Sequence, residues 1–372
     1  MRVFHVGARF TELPGLPAQP PEQGYLWIGT SREEFELDIG PIQSFLQQWA
    51  GGALVDLHIS DLLNRQLPSH FDYTSWYDLL VFRRLAAGSV SSALPAADEQ
   101  PGSLAGAQQV LQAIDTSAVG FAVFDRLLLT VHPGACQVWD SFISRLAQMG
   151  QAGGNGAPAD GRGASARLPT SPDDQMLRMV NQMVDSYLEL RRLLTKQLGL
   201  LQRALLDPRG RFRSWQVLLD WRNALHLLED ICEDQRSAAL EWIDTFEERP
   251  APGDSSSRRE RDLLRVRSRD VVEHIERVLG HVRRLESSAE GAVQIHFSAQ
   301  SNRTNEIMRT LTVLTAIFLP LNLITGIFGM NFDFLPLIHS SSGFWAAAII
   351  MLLVGAGLGL FFWRKRYLGT HG

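Results

Sequence analysis

Lysine is nearly missing from this chain: among 372 residues only Lys196 and Lys365 occur. They precede Gln197 and Arg366 rather than Ser or Thr, so no Walker A loop can form and an ATP-driven pump of that class is excluded. Cysteine is equally scarce. Cys136 and Cys232 are too few for a metal cluster or a disulfide framework, and each reads as a small buried hydrophobe. Charge of one sign is lacking too. The 35 Lys and Arg against 40 Asp and Glu leave a net charge of -5, which gives no argument for nucleic acid. The opening MRVFHVGARFTELPG has no apolar core of a signal peptide, so none is expected to be removed. No nucleophile, base and orienting group can be assembled, and Asp72, His70 and His132 read as surface or fold residues. An enzyme is not expected.

What the chain does have is two apolar runs, Leu311 to Phe328 and Phe344 to Trp363, with no ionised side chain in either. Each approaches the ~20 residues that carry a helix across about 30 Å of hydrocarbon. Core helices of a soluble protein are the alternative, but such helices seldom stay apolar on every face for five turns. Thr312, Thr315, Asn322 and Thr325, with Pro320, interrupt the first run where polar groups are costly and usually face protein or water. Asn305, Met308, Thr312, Thr315, Leu319 and Asn322 step by three or four residues and so share one helix face. One polar-tinged face on an apolar helix suggests the lining of a pore or a bundle interior. Hydroxyls bonding back to their own helix would explain the threonines but not Asn322.

With two spans, both termini lie on one side of the membrane. Arg364, Lys365 and Arg366 follow the second span and place that side in the cytoplasm. The first 300 residues are therefore expected to be cytoplasmic, and the protein is expected in a cell membrane, the inner one in a bacterium.

Residues 1–149 read as a mixed α/β domain. Strands are expected at Val3 to Val6, Gly24 to Gly29, Leu54 to Ile59, Asp78 to Phe82, Gly120 to Phe124 and Leu127 to His132, with helices at Pro41 to Trp49 and Gln137 to Gln148. Thr30-Ser31 ahead of Glu33-Glu34 is a capping signal for a short helix. Composition marks Ala86 to Gly106 as poorly structured and 150–172 as a flexible linker. A helical domain is expected over 173–310, followed by a first span at 311–328, an outer loop at 329–343, a second span at 344–363 and a basic tail at 364–372. In the helical domain, one helix begins at Asp173 and ends at Asp207-Pro208. A second, from about Phe212 to Glu248, has an acidic far half that either clusters cations or is a solvated face. The third starts near Arg258 and reads as a coiled coil, with Val271, Ile275, Val278, Val282, Leu285, Ala289 and Ala292 in a strict heptad. From 258 to 328 it would extend about 105 Å as one rod. His274 and His281 lie one heptad apart, too far for one metal within a chain, so structural roles are expected of them.

The runs Thr304-Asn305-Glu306-Ile307-Met308, Ala316-Ile317-Phe318-Leu319-Pro320 and Gly326-Ile327-Phe328-Gly329-Met330-Asn331-Phe332 resemble the CorA family of divalent-cation transporters. A bare Gly-Met-Asn would be a weak signal. At the end of the first of two C-terminal spans, after a long helix and before a basic tail, it is specific. The resemblance implies a homopentameric funnel in which the first spans line the pore and five Asn331 side chains ring the outer mouth, with Gly329, Met330 and Asn331 as the selectivity motif. It implies passive uptake of magnesium, with cobalt and nickel as further cargo, no resident cofactor, and magnesium as a regulatory ligand. Counting back from Asn331, Asp270 falls where the family carries a regulatory stalk aspartate, for which Asp98 and Glu99 are candidate partners. Met308, Leu311 and Leu319 are placed to act as an apolar gate. Departures are present: Asp333 keeps the first acid of the outer loop but Leu337 replaces the second, Asn322 stands for a usual pore threonine, and Gln294 replaces a stalk acid. The zinc-transporting ZntB subgroup shares this architecture and is the alternative cargo reading. A membrane-anchored signalling or scaffold protein is the alternative of another class.

Overall fold

The computed structural model of the chain describes residues 1–19, 21–87, 110–134, 136–152, 167–206, 215–250, 254–330 and 341–365. The N-terminal part builds on strands β1 (Arg2–Val6), β2 (Phe10–Leu13), β3 (Tyr25–Ser31), β4 (His70–Tyr73), β5 (Asp78–Arg83), β6 (Ala86–Ala87), β7 (Ile114–Asp115), β8 (Ala118–Phe124) and β9 (Leu127–His132). Helices α1 (Arg32–Leu37), α2 (Ile39–Trp49) and α3 (Asp56–Leu63) lie between β3 and β4. Then follow α4 (Gln137–Ala152), α5 (Pro172–Asp185), α6 (Tyr187–Leu206), α7 (Trp215–Glu248), α8 (Ser255–Phe328) and α9 (Ser341–Arg364).

The seven-stranded sheet has the order β2-β1-β3-β9-β8-β5-β4, and β6 pairs with β7 apart from it. Its central pair, β3 and β9, is parallel, while the flanking pairs are antiparallel. β8 and β9 are buried at every position, because both faces of the sheet are covered. Alternation along each strand sorts the side chains. Phe4, Trp27, Phe82, Phe121 and Leu128 pack under Trp139 and Phe142 of α4 and Met176 and Val180 of α5. Ile28, Leu79, Ala122 and Leu129 pack on Phe35, Ile42, Leu46 and Leu62 of α1 to α3. At Gly29 a Cβ would come within 1.6 Å of the Trp139 indole, so only glycine lets α4 seat there. The cap signal at Ser31 is a full capping box with Glu34.

Several sequence expectations need correction. Leu54 to Ile59 is not a strand: Val55 is the N-cap of α3, and Asp56 supplies the acid of its first turn. The alternating apolar letters also fit a helix, since His58 and Leu62, four apart, are the residues it buries. The helix expected from Asp173 is interrupted at Ser186, whose hydroxyl donates to the Met183 carbonyl at 2.5 Å. The expected linker loses both ends to helices, since α4 runs through Ala152 and α5 starts at Pro172; residues 153–166 lie outside the described residues. Of the stretch expected to be poorly structured, Ala86–Ala87 forms β6, and 88–106 lies outside the described residues.

Two compact units result, Met1–Gly291 and Ala292–Gly372, and α8 contributes to both. In the first, the heptad residues Val271, Ile275, Val278, Val282, Leu285 and Ala289 are buried in the same core as Tyr187, Leu194, Trp221 and Leu228. The heptad seam is thus filled by the chain's own helices α6 and α7. Cys136 and Cys232 are buried and unpaired with each other, and burial pushes the Cys232 thiol up to about 12. In the second unit, α8 continues through Pro320 to Phe328, and α9 follows as an almost wholly apolar helix.

Candidate functional site

Two helices are long and apolar enough to cross a membrane, and hardly any of either apolar stretch is buried. Leu319, Leu323 and Leu352 are among many large apolar side chains left open. A soluble core helix would have covered them, so lipid or further copies must. Within the second unit the less exposed residues of α8, Val313, Ala316, Ile317, Pro320, Leu321 and Ile324, fall on one side of the helix. Leu321 reaches Gly355 of α9, where the missing side chain leaves room.

Asn305, Met308, Leu311, Thr312, Thr315, Leu319 and Asn322 are all exposed, on the far side of α8 from that contact. At 100° per residue the six that step by three and four, Leu311 aside, fall within about 100° of arc. The Thr312 hydroxyl donates to the Met308 carbonyl at 2.8 Å, and the Thr315 hydroxyl to the Leu311 carbonyl at 2.9 Å. Back-bonding therefore does account for the threonines, while the stripe as a whole stays open. At the end of α8 the Gly329 amide donates to the Thr325 carbonyl at 2.9 Å, and a Cβ on Gly329 would press on that oxygen at 3.1 Å. Met330 is exposed, and Asn331, Phe332 and Asp333 lie outside the described residues. Arg364 and Lys365 close α9 and are exposed; Arg366 lies outside the described residues.

Asp270 stands on α8 in the first unit, beside a cavity of about 250 Å³ that Arg145, Arg178, Asn181, Asp185 and Arg267 also line. His274, one turn on, lies between two carboxylates: Nε2 is 3.6 Å from Asp270 and Nδ1 is 3.5 Å from Asp185 of α5. Nδ1 also meets Asn181 Oδ1 at 3.1 Å. Both carboxylates remain about half exposed. Arg178 and Arg267 are taken up by the buried Asp174, leaving the two open acids to His274. Asp185 was missed by sequence reasoning because 85 residues separate it from Asp270. The partner candidates Asp98 and Glu99 lie outside the described residues.

The acidic half of α7 is in part a paired surface. Glu229 and Glu233 meet Arg283, Glu247 meets Arg265 and Arg269, and Glu276 of α8 meets Arg236 of α7. In the α/β part, His132 stacks on Trp139 at 4.4 Å, and burial pushes its imidazole down from the ordinary range. His58 joins Tyr77 and Asp72, which makes Asp72 a fold residue.

Residues 103–366 match the family described as CorA-like Mg2+ transporter protein. A 100-residue stretch is 32% identical to the cobalt/magnesium transport protein CorA of Thermotoga maritima, covering 27% of this chain and 28% of that protein. Over 101 residues the chain is 32% identical to the magnesium transport protein CorA of Escherichia coli K12, covering 27% and 32% of the two. The match thus spans less than a third of the length of either relative. Across the fold, the chain resembles the complete structure of the CorA magnesium transporter from Methanocaldococcus jannaschii, with a TM-score of 0.69 and 18% identity over 98% of this chain and 97% of the other. The full-length CmaX protein is similar at a TM-score of 0.62 and 16% identity, over 98% and 97%.

Proposed function

The chain belongs to the CorA-like Mg2+ transporter family, and from that premise we propose that it is a passive magnesium channel of a cell membrane, with cobalt and nickel as lesser cargo. The observation that carries this reading is the open stripe Asn305–Asn322 on a helix with no ionised side chain between Leu311 and Phe328. The threonine hydroxyls are satisfied within the helix, but the Asn322 amide facing lipid would be costly, so the stripe calls for a water-filled passage bounded by further copies of the same helix. A homopentamer supplies that passage. Asn331, following Gly329 and Met330, then gives a ring of amide oxygens at its outer end. Oxygen ligands suit a hard cation that gives up its water reluctantly. Arg364, Lys365 and Arg366 keep both termini in the cytoplasm.

No fuel is required. A divalent ion entering down 100 mV gains roughly 4.6 kcal/mol, enough for roughly thousandfold accumulation. Magnesium bound on the cytoplasmic side at Asp270, with Asp185 and His274 beside it, regulates the passage by holding the closed state. The test is uptake into liposomes containing the purified protein, with magnesium, cobalt, nickel and zinc compared. Magnesium flux that follows the imposed potential and disappears in Asn331→Ala supports the reading. Zinc flux alone, or wild-type flux in Asn331→Ala, refutes it.

A further inference from the structure

His226 and Glu229 are three residues apart on α7, so they share a face, and Glu286 of α8 comes up against that face. One nitrogen and two carboxylate oxygens from these three side chains lie within 4.8 Å of one another. His226 Nδ1 is 3.6 Å from Glu286 Oε1. The carboxylates of Glu229 and Glu286 thus face each other within 4.8 Å, where their mutual repulsion favours a cation between them. The neighbouring guanidiniums offset this only at Glu229: Arg283 engages Glu229 at 2.6 Å and also Glu233, and Arg222 engages Glu290 at 3.4 Å, so among the described residues neither pairs with Glu286. Glu286 is left with His226 and the second carboxylate.

We propose that His226, Glu229 and Glu286 bind one divalent transition-metal ion of the zinc, cobalt or nickel class, with the fourth position open to water. One imidazole nitrogen and two carboxylate oxygens form a three-ligand set of the kind that leaves zinc an open position. The nitrogen selects against magnesium, which takes oxygen ligands and keeps its waters, and favours the later first-row ions. His226 is 66% exposed while Glu229 and Glu286 are about one-fifth exposed. The carboxylates are thus held by packing, and the ring is free to swing in by the short distance that closes the set. The ion ties α7 to α8. This site lies apart from Asp270 and does not depend on the transport reading.

The experiment is calorimetric titration of the purified full chain with zinc chloride and, separately, with magnesium chloride. Wild type, His226→Ala, Glu286→Gln and Arg283→Gln are compared, with unchanged helical circular dichroism as the control. About one zinc per chain is expected at this site. Its affinity should fall on the order of 100-fold in His226→Ala and in Glu286→Gln, the share of one ligand in a zinc site. Arg283→Gln should tighten it by releasing Glu229. Zinc binding of unchanged affinity in both ligand variants, no zinc binding by the wild type, or displacement of zinc by equimolar magnesium would each overturn the proposal.

Discussion

Tyr187 donates its hydroxyl hydrogen to Nδ1 of His281 across 2.8 Å, joining α6 to α8 in the helical layer. The other ring nitrogen meets Thr195 Oγ1 at 3.3 Å. Burial first, then the charges of Arg191 and Arg284, push His281 from the ordinary 6.5 down to about 4. The imidazole is therefore neutral in the folded chain; the Thr195 hydroxyl spends its hydrogen on the Arg191 carbonyl at 2.8 Å, so Nε2 carries the ring hydrogen toward Thr195 and Nδ1 accepts from Tyr187.

That depression ties stability to pH. Between pH 6.5 and about 4 the unfolded chain takes up a proton that the folded chain refuses. The contribution is complete above that window and is lost as the pH falls through it. The unfolding midpoint of the wild type should drop across the window more steeply than that of His281→Asn. Equal slopes would assign the acid sensitivity to another group.

Replacing Asp270 should loosen magnesium regulation. Asp270→Lys puts a positive charge beside His274 and leaves Asp185 as the lone open acid of that cluster. Protection from proteolysis by millimolar magnesium should weaken, and Asp185→Asn should weaken it in the same direction. Identical protection in wild type and both variants would move the sensor elsewhere.

The open stripe on α8 predicts a particular inhibitor. Amides and hydroxyls touch a hydrated ion through its water rather than by stripping it. Cobalt hexaammine, an inert mimic of the hydrated ion, should block magnesium uptake, and Asn322→Leu should reduce uptake with assembly intact. Uptake unaffected by saturating hexaammine would point to an ion that enters dehydrated.

At Gly29 the sheet and α4 leave no space for a side chain, since the Trp139 indole comes within 1.6 Å of where a Cβ would sit. Gly29→Ala should destabilise the first unit by about 1–3 kcal/mol, the usual cost of overpacking. Trp139→Leu in the same chain should recover part of that loss, because the two substitutions act on one contact. Additive losses would show that the strain is relieved elsewhere.

What was legible in the sequence follows from where period and burial agree. β3, β8 and β9 announced themselves because a strand covered on both faces must be apolar throughout. The stripe on α8 was legible because 3.6-residue spacing survives in any environment. The edge strands β2 (FTEL) and β4 (HFDY) were not, since half-exposed strands carry too few apolar residues to mark them. Leu54 to Ile59 fitted two periods at once, and the acid at Asp56 was the signal that favoured the helix. The grouping of Asp185 with Asp270 and His274, and of Glu286 with His226 and Glu229, has no trace in local pattern. Each depends on how far one long helix slides along its neighbours before it packs.

The inward-turned hydroxyl hydrogens of Thr312 and Thr315 carry a last consequence. Each hydrogen is spent on a carbonyl of the same helix, so the oxygen offers only its lone pairs to anything outside the helix. Water around a cation points its hydrogens outward and finds acceptors there. Water around an anion is oriented the other way and finds no hydroxyl donor at either threonine. At these positions the proposed passage would discriminate the sign of its cargo by the sense of its hydrogen bonds, without any charged residue in the apolar run.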